Sequence, residues 1–229
     1  MTAKTRLGGQ HRNSILEAAR VACGRALQGR SARSMMLLGL RGTGKTELLN
    51  EISKIAQKEG LLVSRLESTA REILSGNLAH LLYQEIRKVM QTLVGSEYDR
   101  PTAKQGLQAL SHFTAAPSSN SNGMAVSVEP EPGLADLGDL QYDLPEIFAS
   151  IGRTTQAIDK GWLLLIDDMH HLSRNDLAAL MMAIHRTNQE GLPVLLIGTG
   201  LPKVARLAGD AKPYVERLFL YANVEPDFH

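Results

Sequence analysis

Apolar residues in this chain fall into two alternating kinds of run: short continuous ones, and longer ones with a helical period. Met35-Met36-Leu37-Leu38, Leu61 to Leu66, Trp162 to Ile166, Pro193 to Gly198 and Leu218 to Tyr221 are short and nearly unbroken. Such runs predict strands, and the Trp162 and Pro193 runs have the character of parallel strands covered on both faces. Between them lie helical patterns. Ser14 to Leu27 carries Ile15, Ala18, Ala19, Ala22 and Ala26 on one stripe and ends at Gly29. Glu47 to Ala56 is amphipathic, and Leu78, Leu81, Leu82, Ile86, Val89, Met90 and Leu93 share one face of a long helix. Asp143 is a candidate cap, with Pro145 in the first turn of a helix that runs to about Lys160 and buries Ile147, Phe148, Ile151 and Ile158. Ser173 to Arg186 is amphipathic again, and Pro202 and Pro213 each open a short helix. Strand and helix alternate, which predicts an α/β fold: a mostly parallel five-stranded sheet joined by right-handed crossovers.

Composition changes the picture in one place. Between Ala115 and Asp143, stretches such as Ala116-Pro117-Ser118-Ser119 and Glu129-Pro130-Glu131-Pro132-Gly133 resist regular packing. Residues 115–143 therefore read as a flexible insertion loop with a short strand at Met124 to Val128, inside a single domain over 1–229 whose first 30 residues are a helix and linker. At 229 residues, 43% hydrophobic and 21% charged, the chain is long enough for one well-buried core. A net charge of +1 gives no overall field to recruit nucleic acid or anionic lipid. Cys23 is the lone cysteine, so no internal disulfide or cysteine-based zinc site can form. The start of the chain lacks the apolar core of a signal peptide, and no segment is long enough to span a bilayer, so the expectation is a soluble cytoplasmic protein.

Candidate chemistry centres on Gly39-Leu40-Arg41-Gly42-Thr43-Gly44-Lys45-Thr46, a Walker A pattern set between a predicted strand and a predicted helix. Glycines let the backbone curl so that successive N–H groups face one anion, and the helix start adds its dipole. Gly39, Arg41, Gly42, Thr43, Gly44, Lys45, Thr46 and Glu47 are accordingly the candidate ATP/ADP-binding residues, with Lys45 on the β- and γ-phosphates. The Thr46 hydroxyl is a candidate Mg2+ ligand.

Asp167 and Asp168 end the Trp162 strand, where open α/β sheets place ligand groups. Asp167 is the second candidate for Mg2+, and Asp168 either orients or deprotonates the attacking water or merely caps the next segment. Thr199 ends the following strand, where its hydroxyl either meets the γ-phosphate or water or is a plain strand-end residue. Arg217 precedes the last strand, as a finger offered to a neighbouring subunit or as a solvated helix-end cation. Adjacent His170 and His171 face different ways and have no third ligand spaced to join them, which argues against a transition-metal site.

The loop, the Trp162-to-His170 block, Pro193 to Pro202 and Tyr214 to Phe219 together resemble the bacterial AAA+-type ATPases related to origin-recognition and STAND proteins. The resemblance implies a three-layer P-loop NTPase fold of the additional-strand type, with strand order 5-1-4-3-2. It also implies ATP hydrolysis coupled to a macromolecular partner, with Thr199 at the sensor 1 position and self-association through Arg217. Asp168 stands where AAA+ proteins usually carry glutamate, and the sequence ends where a helical lid is expected. A nucleotide-dependent switch with little turnover and a DNA-associated ATPase are the alternative readings.

Overall fold

The computed structural model of the chain describes residues 3–67, 78–94, 140–211 and 215–225. The five apolar runs form β1 (Ser34–Leu38), β2 (Leu61–Glu67), β3 (Gly161–Asp167), β4 (Val194–Gly200) and β5 (Phe219–Asn223). All neighbours are parallel, in the order β2-β3-β4-β1-β5 that the family resemblance implies. Helices α1 (Ala3–Leu27), α2 (Lys45–Glu59), α3 (Leu78–Val94), α4 (Leu140–Gln156), α5 (Arg174–Gln189), α6 (Lys203–Ala211) and the short α7 (Val215–Leu218) flank it.

Strand side chains alternate between faces, so the sheet needs two apolar layers. Met35 and Leu37 of β1, Leu163 and Leu165 of β3, and Leu195 and Ile197 of β4 pack with α1 and α2. Met36, Leu38, Trp162, Leu164, Ile166 and Leu196 pack on the other face with α3, α4, α5 and α6. Trp162 is fully buried against Phe148, its ring edge-on at 4.8 Å, and its Nε1 donates to Ser64 Oγ at 3.0 Å. The β4 interior is thus sealed on both sides, the reason its run shows no polar alternation. Helix α5 opens on a capping box between Ser173 and Asp176.

Several boundaries differ from the sequence reading. Helix α1 begins at Ala3 rather than Ser14. Helix α4 begins at Leu140, so residues 140–143 belong to a helix and not to the insertion loop. Asp143 is consequently a buried first-turn residue rather than a cap, and Pro145, inside the helix, removes only a bond near its start. The helix stops at Gln156, short of Lys160, because the chain turns through Asp159 in a left-handed conformation on its way into β3. Leu218 closes α7, and β5 starts one residue later. The remainder of the insertion loop, the strand at Met124 to Val128 and Pro213 lie outside the described residues. Among the described residues no helix is long and apolar enough to cross a membrane.

The strand order positions the site. Inserting β4 between β1 and β3 brings three C-terminal strand ends side by side, with Leu37 paired to Thr199 and Ile166 to Gly198.

Candidate functional site

The glycine loop leaves β1 at Gly39, whose N–H donates to Gly200 O at 3.1 Å, while Val224 N–H donates to Leu38 O at 2.6 Å. A Cβ on Gly39 would lie 2.5 Å from the Val224 carbonyl oxygen, so backbone contact on this side admits only glycine. Gly42 and Gly44 both have φ of 77°, and Gly44 is the N-cap of α2. Thr43 Oγ1 ties the loop by donating to Leu40 O at 3.0 Å.

Lys45 is buried beneath this loop, its Nζ donating to Gly39 O at 3.0 Å and Leu40 O at 2.6 Å. Burial lowers its pKa, opposed by the negative charges of Asp168 and Asp167. Arg41, Thr46 and Glu47 are exposed around the loop and first turn.

Across the strand ends, Thr46 Oγ1 donates to Asp167 Oδ2 at 2.8 Å. Thr199 Oγ1 donates to the other carboxylate oxygen, Asp167 Oδ1, and accepts from the Asp168 N–H at 2.9 Å. A hydroxyl has one proton, so Thr199 spends it on Asp167 and pins two consecutive residues of the β3 end at once. Asp168 takes a left-handed backbone, φ 57° and ψ 41°, as it opens the 3-10 turn Met169–His171. Its side chain is about half exposed, and His170 Nδ1 stands 3.5 Å from its Oδ1.

Lys45, Thr46, Asp167, Asp168 and Thr199 are therefore gathered at one edge of the sheet. Arg217 is not: it is exposed on α7, before Phe219, which pairs with Ser34 at the opposite end of β1 from the loop. Three neighbours escaped the sequence reading. Arg65 of β2 lies with Nη2 3.5 Å from Asp167 Oδ2 and also donates to Asn50 of α2. A lone cation inside an apolar strand was the available signal for it. His170 stands beside Asp168, and its spacing signals no partner there. The early part of α1 lies beside the loop, with His11 Nε2 2.6 Å from Asn223 O and Arg12 paired to Glu51 at 2.8 Å. These residues have no apolar period to announce them. They help line a small open cleft formed with Thr43, Leu48 and Val224.

The site's donor set is hydroxyl and carboxylate oxygen, the chemistry of a hard cation. Among the described residues no group of three or more His, Cys, Asp and Glu side chains could hold a metal ion.

Similarity to known proteins bears on the family. The fold is that of Cdc6p from Pyrobaculum aerophilum, at 15% identity over 93% of this chain and 45% of that one, with a TM-score of 0.51. The Orc1 protein of Aeropyrum pernix, solved in complex with DNA, is similar at 16% identity over 94% of this chain and 45% of its own, with a TM-score of 0.47. This chain thus spans less than half the length of either. No curated protein matches it. The family model for the AAA ATPase domain matches residues 10–197, most of the chain, and the chain belongs to that family.

Proposed function

We propose that the chain is an ATP-binding core that hydrolyses ATP with Mg2+ and couples its nucleotide state to a macromolecular partner. The observation that supports this reading is the 2.8 Å bond from Thr46 to Asp167, a hydroxyl and a carboxylate close enough for one hard cation to take both as ligands. When bound, Mg2+ neutralises charge on the phosphate oxygens. Lys45 is the cation for the β- and γ-phosphates, held until then by loop carbonyls. The N–H groups from Gly39 to Thr46 face the anion, flanked by Arg41 and Glu47, and the cleft between α1 and Thr43 receives the nucleoside. Asp168, half exposed, takes the proton of the attacking water. Thr199 aligns both acids. Arg217, at the far end of the sheet, is available to the nucleotide of a neighbouring copy.

In this reading residues 1–229 act as one core, and the single cysteine and balanced charge suit the cytoplasm. A switch with little turnover is the second reading, favoured by the short reach of Asp168. One experiment separates them: titration with a fluorescent ATP analogue and phosphate release for wild type, Lys45→Ala and Asp168→Asn, with and without DNA. The hydrolytic core requires Lys45→Ala to lose at least about tenfold in affinity, and Asp168→Asn to bind but not turn over. Unchanged affinity in Lys45→Ala sinks the site assignment. Binding without Mg2+-dependent turnover in wild type favours the switch, and salt-sensitive DNA binding would identify the partner class.

A further inference from the structure

His170 is almost wholly buried, its side chain 4% exposed, and neither ring nitrogen has a hydrogen-bond partner. A buried polar group in that state carries a desolvation cost with nothing to offset it, so its persistence beside the acids calls for another state in which a bond forms. The ring itself has little freedom. Its turn is anchored by Met169, whose sulfur fills the space above Gly198, where a Cβ would come within 1.9 Å of it. His171 packs against it, ring centroids 4.1 Å apart. Asp168 Oδ1 lies 3.5 Å from Nδ1. That carboxylate is half in solvent, and an approach of about half an ångström makes a hydrogen bond of ordinary length.

We infer that His170 is a positioning residue for Asp168: its Nδ1–H donates to Oδ1 and fixes the carboxylate, leaving Oδ2 to take the proton of the attacking water. The inference rests on reading Asp168 as the base. It adds a hold on the carboxylate, since an aspartate here is shorter than the glutamate expected. Burial keeps the imidazole neutral by lowering its pKa; His171 lowers it further, Asp168 opposes, and Lys203 and Arg41 add to the lowering. A neutral N–H orients the carboxylate while drawing off less of its basicity than a cation would.

The test uses the whole chain labelled with 15N-histidine, in Mg2+ and a non-hydrolysable ATP analogue, with the His170→Asn spectrum identifying the signals of His170. The expected result is an Nδ1–H tautomer whose shifts change in Asp168→Ala. Phosphate release gives the second readout. His170→Leu should lose about tenfold or more in kcat with little change in ATP affinity, while His170→Asn, which keeps an amide N–H where Nδ1 stands, should recover most of it. An Nε2–H tautomer indifferent to Asp168→Ala overturns the proposal, as does wild-type kcat in His170→Leu. Turnover that survives Asp168→Asn overturns the base reading itself; turnover lost in Asp168→Asn but kept in His170→Leu overturns only the role of His170.

Discussion

Replacing Thr199 by valine removes a hydroxyl and nothing else of consequence in volume, at a position 1% exposed. Two bonds go with it: the one Thr199 donates to Asp167, and the one it accepts from the Asp168 N–H at 2.9 Å. A hydrogen bond to a charged group is worth about 1.5–3 kcal/mol net, and a part-buried N–H left without an acceptor costs about 1–3 kcal/mol. The two overlap, because solvent near the half-exposed Asp168 can recover part of the second, so about 2–3 kcal/mol is the expected total. For a chain of 229 residues this lowers Tm by about 4–12 °C. Thermal melting and urea denaturation of wild type, Thr199→Val and Thr199→Ser measure it, with serine expected to keep most of the stability. The catalytic arm is phosphate release, in which Thr199→Val should fall about tenfold or more while nucleotide affinity changes little. A valine variant that melts within a degree of wild type would show that the hydroxyl does not hold the β3 end, and the geometry argued for Asp167 and Asp168 would have to be abandoned.

Other expectations are simpler to check. Ser64→Ala leaves the buried Trp162 Nε1 without its acceptor and should cost about 1–3 kcal/mol in urea unfolding followed by the emission of Trp162, the chain's single tryptophan. Gly39→Ala sets a Cβ 2.5 Å from the Val224 carbonyl oxygen and 2.7 Å from Thr43 Oγ1. It should destabilise by about 1–3 kcal/mol and weaken binding of an ATP analogue. Burial pushes the Cys23 thiol up to about 12 from its ordinary 9.0. At pH 8 a thiol reagent should therefore label one cysteine in denaturant and none in the native protein. The sign of the pH effect follows: above about 9 the unfolded chain releases this proton while the folded one keeps it. Stability should then fall by up to about 1.4 kcal/mol per pH unit until the folded thiol also titrates near 12. A stability curve rising over that range would contradict the burial of Cys23.

The sheet was readable from apolar runs because a strand covered on both faces has no polar alternation to confuse it: Trp162 to Ile166 and Val194 to Gly198 are buried throughout or nearly so. The glycine loop was readable for a different reason, since phosphate-loop geometry demands particular backbone freedoms at fixed spacing, and Gly42 and Gly44 both take positive φ. Helix starts were less legible. Asp143 has the side chain of a cap but is buried within α4, and α1 extends through residues with no apolar stripe. Local propensity at a helix end is worth a kilocalorie or so, and tertiary packing overrides it.

By itself, the sequence determined which residues are apolar, where the backbone can turn left-handed, and which hydroxyls and carboxylates end the strands, because these are properties of residues and their spacing. It could not determine that Arg65 stands beside Asp167, that His170 meets Asp168, or that Thr199 commits its one proton to Asp167. The first and last join strands far apart in the chain, and the second depends on how the turn after β3 is folded. The contacts between strands exist only because the parallel register of β1, β4, β3 and β2 brings the strand ends to one edge of the sheet.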